Sequence, residues 1–226
     1  MTDPDMQTDT DHPLAVRKET LHDQVASRVR DLIIEGVLEP GSRIDETTLL
    51  SQLGVSRTPF RESLRTLAAE GLIVIRPSRG SQVRKLSPLE VHSMLEVLAH
   101  LEGLIGRLAC ERASDAEIKG MLDLHRRMIA FYESRNRLPY YKLNQEFHSR
   151  LAALSGNPTL VEIQANIQAR LKRIRFMGNA TPEHWANAVS EHEEMISALK
   201  SRDGPRLSSV MERHLVNTWE RVQDSL

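Results

Sequence analysis

The chain holds a single cysteine, Cys110, so it can form no internal disulfide and no thiolate-rich zinc site. Aromatic residues make up only 4% of it, so its cores must be built from Leu, Ile, Val, Ala and Met. No run approaches the roughly 20 apolar residues that span a bilayer. The first residues are acidic and lack an apolar stretch, which argues against a secretory signal. A cytoplasmic protein without a membrane partner is therefore expected. Net charge is only −1 over 226 residues, so no global field points to a partner. That length suits one large domain or two small ones.

Charge becomes informative when it is divided by region. Residues 1–14 carry Asp3, Asp5, Asp9 and Asp11 and no Lys or Arg. That composition predicts a disordered acidic tail. Residues 56–85 carry seven cations against Glu62 and Glu70. A local cationic patch on a near-neutral chain suits nucleic acid, because phosphates need neutralising only at the contact face.

The same region has the punctuation of a compact helical unit. Leu21, Val25, Val29, Leu32 and Ile33 form a helical stripe that Gly36 ends. A short helix is expected over 46–53, with Gly54 as a left-handed turn residue. Ser56 is placed to cap the next helix, and Pro59 falls in its first turn, where a missing N–H is tolerated. Leu72-Ile73-Val74-Ile75, the turn Pro77-Ser78-Arg79-Gly80 and Ser81-Gln82-Val83 read as a small β-hairpin. Arg57, Arg61 and Arg65 recur every four residues and share one helix stripe, opposite Phe60, Leu64 and Leu67. A guanidinium fork can bond O6 and N7 of guanine together. Ser56, Thr58 and the first backbone N–H groups suit phosphate, and Arg79 with Gly80 suits a hairpin tip that approaches the duplex.

After Ser87-Pro88-Leu89-Glu90 the pattern is helical to the end. Breaks at 113–114, 135–138, 155–157, 178–181 and 201–204 predict helices near 88–112, 115–134, 139–154, 158–177, 182–200 and 205–224. Six long helices with short loops predict an antiparallel bundle. The expected fold is thus mainly α: an N-terminal winged helix-turn-helix over 15–85 and an all-α bundle over 86–226.

Pro40-Gly41-Ser42, Gly54-Val55-Ser56-Arg57-Thr58-Pro59, Arg61-Glu62-Ser63-Leu64 and Arg76-Pro77-Ser78-Arg79-Gly80 resemble the winged helix-turn-helix of GntR-family repressors. The resemblance covers residues 20–84. It implies that Arg57, Thr58 and Arg61 contact DNA and that Arg79-Gly80 forms the wing tip. Thr47 stands where some members carry an Arg, so no operator sequence is inherited.

In the second region Asn144 and His148 are four residues apart on one helix face, together with Phe147 and Leu151. His192 shares a stripe with Trp185, Val189 and Ile196, and His214 one with Leu207, Val210 and Met211. Three imidazoles therefore fall on the inward faces of three helices. Unpaired imidazoles are costly in an apolar interior, and a shared late first-row ion would satisfy all three. His100, His125 and His184 read as surface or helix-end residues, and His12 and His22 carry no signal.

Residues 87–222 resemble the FCD domain of the FadR subgroup, whose metal-binding members show Asp or Asn, three residues, His, then two later His. That resemblance implies a divalent ion, zinc or nickel, held by Asn144, His148, His192 and His214. It also implies an open face for a small organic acid. Several relatives place an Arg where this chain has Leu98, so the carboxylate clamp is missing or rebuilt; Arg173 and Arg175 are the candidates. The function expected is a homodimeric, effector-responsive DNA-binding regulator and not an enzyme. An enzyme would need Glu146 or Glu191 as base, and no nucleophile accompanies them. A plain metal sensor is the other alternative.

Overall fold

A computed structural model describes residues 20–226. The acidic tail expected over 1–14 lies outside the described residues.

The first unit begins with α1 (Leu21–Glu35), α2 (Glu46–Leu53) and α3 (Arg57–Ala69). Thr20 and Asp23 cap α1 reciprocally, and Gly36 closes it at φ 84°. The Asp45 carboxylate accepts from the Thr47 and Thr48 amides at the start of α2. Gly54 then turns the chain at φ 65°, a left-handed value that a side chain would strain. Ser56 holds the N-cap position of α3, as the sequence suggested, but its hydroxyl makes no capping bond. Phe60, Leu64 and Leu67 of α3 pack on Val29 and Ile33 of α1 in a core of their own. Strands β1 (Ile73–Arg76) and β2 (Gly80–Val83) pair antiparallel, Ile73 opposite Val83 and Arg76 opposite Gly80. The first strand thus starts one residue later than the apolar run suggested, because Leu72 is spent on the core beside Gly71.

Six helices follow: α4 (Pro88–Arg112), α5 (Asp115–Glu133), α6 (Arg137–Leu154), α7 (Pro158–Met177), α8 (Pro182–Lys200) and α9 (Gly204–Val222). Ser87 with Glu90 and Ser114 with Glu117 form the two capping boxes that the sequence signalled. Pro stands in the first turn of α4, α7, α8 and α9, where the absent N–H is harmless.

The tightest pairing in the bundle is α4 against α9, and Gly103 and Gly106 make it possible. A Cβ on Gly106 would lie 3.0 Å from the Leu207 and Met211 side chains and 3.1 Å from the Ser208 amide nitrogen. Gly106→Leu must push the two helices apart. A loss of about 1–3 kcal/mol or more is expected in urea unfolding. An unchanged midpoint would show that this approach is not under constraint.

The first unit sits on the bundle through α7 and α6. Lys172 and Arg30 both donate to the Glu70 carboxylate, at 2.8 Å from Lys172 Nζ and 2.8 Å from Arg30 Nε. Lys142 pairs with Asp31 at 2.6 Å. Arg173 Nη1 donates to the Ile33 and Ile34 carbonyls, each at 3.3 Å, at the C-terminal end of α1. A cation there also meets the negative end of the helix dipole.

Burial alone would raise the Glu70 carboxyl, but the bonds from Arg30 and Lys172 outweigh it and hold the group below its usual range. A depressed folded-state pKa gives stability that is present above the ordinary carboxylate value and lost as pH falls through the folded one. Glu70→Gln should therefore melt below the parent at neutral pH, with the gap closing below about pH 4. A gap that does not change with pH would mean that the charge contributes nothing at this junction.

Candidate nucleic-acid interface and metal centre

Helix α3 presents Arg57, Thr58, Arg61 and Arg65 to solvent while Phe60, Ser63, Leu64 and Leu67 are buried. The division follows from the four-residue spacing of each set on one helix. Arg65 is held by Glu62 at 2.7 Å, and Arg61 lies 3.9 Å from Glu46. Arg57 has no acidic partner among the described residues. Exposed pairs of this kind are weak and are readily exchanged for a phosphate or a base edge. In the hairpin tip Ser78 (φ 60°) and Gly80 (φ 79°) both take left-handed backbone, and Arg79 is exposed between them. The sequence reading missed Arg43. Its guanidinium lies against Gly80, 3.5 Å from where a Cβ would stand, and the residue bridges to Gln82. Arg43 belongs to the turn before α2, so its nearness to the tip is a product of hairpin folding that no local spacing reveals.

Inside the bundle, His148 of α6, His192 of α8 and His214 of α9 meet. One ring nitrogen from each lies within 4.8 Å of the others. The ring centroids stand 5.2–5.4 Å apart in a near-equilateral triangle. All three residues are buried, His148 completely. Among the described residues both ring nitrogens of His192 and Nε2 of His148 lack a hydrogen-bond partner, and His148 Nδ1 has only the Glu102 carboxylate beside it, at 2.9 Å but off hydrogen-bond geometry. Buried polar atoms without partners are rare and costly. Burial pushes the pKa of both residues well below the ordinary value, with the positive charge of Arg175 and His214 adding to it. These imidazoles are therefore neutral near pH 7, which is the metal-ligating form.

Carboxylates flank two of the rings. Glu191 Oε2 accepts from His214 Nδ1 at 2.5 Å, and Asn217 and Arg221 hold its other oxygen. That bond fixes the tautomer and leaves Nε2 to face the cluster. Glu102 of α4 is fully buried, with one oxygen 2.9 Å from His148 Nδ1 and the other 3.2 Å from Gln168 Nε2. Desolvation raises its pKa, and the Arg175 guanidinium opposes that rise. Arg175 Nη1 lies 3.6 Å from Glu102, and neither Nη atom makes a hydrogen bond. A buried, unsatisfied guanidinium fork has the donor geometry that a carboxylate accepts.

The donor set fits one divalent ion: three imidazoles from three helices, two of them backed by carboxylates. Asn144 is buried one turn before His148 on α6 and so shares its face.

Sequence profiles place these two constellations in known families. The profile for bacterial regulatory proteins of the gntR family matches residues 21–83, and that of the FCD domain matches residues 93–217. The chain belongs to the gntR family of bacterial regulatory proteins, in the form that carries an FCD domain. It is 31% identical to the Nta operon transcriptional regulator of Aminobacter aminovorans over 81% of this chain and 85% of that protein. It is 28% identical to the HTH-type transcriptional repressor RspR of Escherichia coli strain K12, over 90% of this chain and 89% of that protein. The solved structure of E. coli McbR/YncC shares the fold, with a TM-score of 0.72 at 21% identity, covering 89% of this chain and 98% of that one. A GntR regulator structure from Rhodococcus sp. RHA1 gives the same TM-score at 19% identity, covering 91% and 98%. The protein is thus a transcription regulator and not an enzyme.

The structure separates the two arginines this gntR-family chain offered as an acid clamp. Arg175 reaches Glu102 beside the histidines. Arg173, two residues earlier and so about 200° away around α7, points at α1 instead. Leu98 is fully buried in an apolar cluster with Leu95 and Leu171 and supplies no cation there. His125 is a second correction: it is buried beside Phe147, not on the surface, and desolvation lowers its pKa. Glu102, Gln168 and Gln164, whose amide nitrogen donates to the His148 carbonyl at 3.5 Å, were missed. Their signal was a polar residue on an otherwise apolar helix face, which reads as solvent-facing until the partner helices are known. Glu146 pairs with Arg150 on the surface, away from the histidines in its hydrogen bonding.

Proposed function

We propose that this regulator is a ligand-responsive repressor of the FadR subgroup, acting in the cytoplasm as a homodimer. Residues 15–85 form its reading head, and residues 86–226 form its sensing and dimerising body. Ser56, Arg57, Thr58, Arg61, Arg65, Arg79 and Gly80 meet the operator, with base edges read by the arginines nearest the start of α3. His148, His192 and His214 hold a zinc or nickel ion, with Asn144 as a fourth, uncharged donor. The observation that carries this reading is the set of buried imidazole nitrogens on His148 and His192 that have no hydrogen-bond partner.

An ion bound there supplies open positions for a carboxylate oxygen. The rest falls to the protein. Arg175 offers its fork to the second oxygen of a small organic acid, in place of the cation absent at Leu98. Such an acid competes with Glu102 for Arg175 and so bears directly on α7. The same helix carries Lys172 and Arg173, which grip the head at Glu70 and at the end of α1. Differential binding of acid to two placements of α7 shifts the spacing of two heads in the dimer.

Native mass spectrometry with elemental analysis of the purified protein tests this. One late first-row ion per chain and a co-purified carboxylate are expected; a metal-free, ligand-free dimer that binds its operator normally would defeat the proposal. The plain metal sensor is separated by titrating operator binding with Zn²⁺ alone and with added acids. Full response to the ion alone favours the sensor.

A further inference from the structure

The junction between head and bundle holds a cleft of about 370 Å³ that is separate from the histidine cluster. Its walls carry four cations: Arg84 and Lys85 from the segment after the hairpin, and Arg170 and Arg173 from α7. Glu39 and the C-terminal residue Leu226 bring the acids of the lining; neither comes within ion-pair distance of the four cations, although the Glu39 charge acts on Arg173. Among the described residues Arg170 and Lys85 have no ion-pair or hydrogen-bond partner, and Arg173 reaches only backbone carbonyls. Arg84 touches Glu90 at a long 3.4 Å. Arg170 and Arg173 are three apart on one helix, where like charges repel. Between the cations lie Ile33, Leu72, Leu86, Ile174 and Met177, so the cleft is half apolar.

Two glycines admit the arginines. A Cβ on Gly36 would stand 2.5 Å from Arg173 Nη1, and one on Gly71 3.0 Å from Arg170 Cγ. Both glycines have positive φ and end a helix of the head. The two side chains therefore lie against the head with nothing between, Arg173 half-buried at the end of α1 and Arg170 still exposed to solvent.

We propose that this cleft is a second ligand site, which takes an amphipathic organic anion. The acid group sits among Arg84, Lys85, Arg170 and Arg173, and a short aliphatic tail lies on Leu72, Leu86, Ile174 and Met177. This goes beyond the metal-linked reading, because the site shares no residue with the histidine cluster and spans head and bundle. An occupant contacts both units at once, so it favours one placement of the head over others and acts as an input independent of the ion.

Isothermal titration of the full chain with octanoate tests the proposal, using octylamine as the cationic counterpart. One saturable equivalent of octanoate and no octylamine is expected. That binding should persist in His192→Ala/His214→Ala and weaken at least tenfold in Lys85→Ala/Arg170→Ala. If the latter pair melts well below the parent, Lys85→Ala alone is read, and at least a threefold loss is expected. Absence of saturable binding, octylamine binding equally well, or indifference to the lysine and arginine changes would overturn it. Loss of binding in the histidine variant alone would place octanoate in the bundle pocket and also overturn it. Failure of the metal-linked reading shows instead in the metal content, which none of these outcomes alters.

Discussion

His192→Ala together with His214→Ala is expected to leave a folded protein that no longer retains stoichiometric metal. Two of three converging imidazoles disappear, and a lone His148 with the uncharged Asn144 is a poor chelate. The head should be untouched, because its core of Phe60, Leu64, Leu67 and their α1 partners contains no residue of the bundle cluster. The parent should gain stability on metal addition by mass action, about 2.7 kcal/mol when free ion is a hundred times its Kd. The double variant should gain none. Thermal melts with and without Zn²⁺ read this out, beside elemental analysis. A variant that still carries one ion per chain, or is still stabilised by it, shows that the ligands lie elsewhere.

Arg57→Ala or Arg61→Ala is expected to cost about 1–3 kcal/mol on the cognate operator and clearly less on random DNA. Both side chains are exposed near the N-terminal end of α3, the end that enters a major groove in helix-turn-helix proteins. Arg57 has no acidic partner among the described residues, so its loss should show in full. Arg65 starts from a 2.7 Å pair with Glu62 and stands two turns further along, so Arg65→Ala should cost less. Fluorescence anisotropy at fixed salt, with specific and random duplexes side by side, gives both numbers. Equal losses on the two duplexes would mean that these arginines touch only phosphate, and the salt dependence should then flatten with each removal.

The sequence made the local devices legible. Capping residues, prolines in first turns and left-handed glycines act over a few positions, so helix limits could be read almost to the residue. Gly54 and the Ser114 and Ser87 boxes are examples. The inward faces carrying His148, His192 and His214 were legible too, because each helix has one apolar stripe and a histidine on it stands out. What stayed hidden depends on which helix lies opposite. Glu102 acquires a role only once α4 is enclosed by α6, α7 and α9. His125 looked peripheral until Phe147 covered it. Arg173 and Arg175 are two residues apart and could not be told apart in sequence, yet one serves the head and the other the buried site. The junction cleft combines several separate segments, so no spacing pattern announces it.

Operator affinity of the full chain, followed as the co-purified acid is stripped and then restored at constant metal, tests most directly whether the bundle governs the reading head. A reversible change of about 5–150-fold, the usual range of coupling between two sites, is expected, and it should vanish in Arg175→Ala. Identical affinity in both states, with bound acid verified by mass spectrometry, would contradict it.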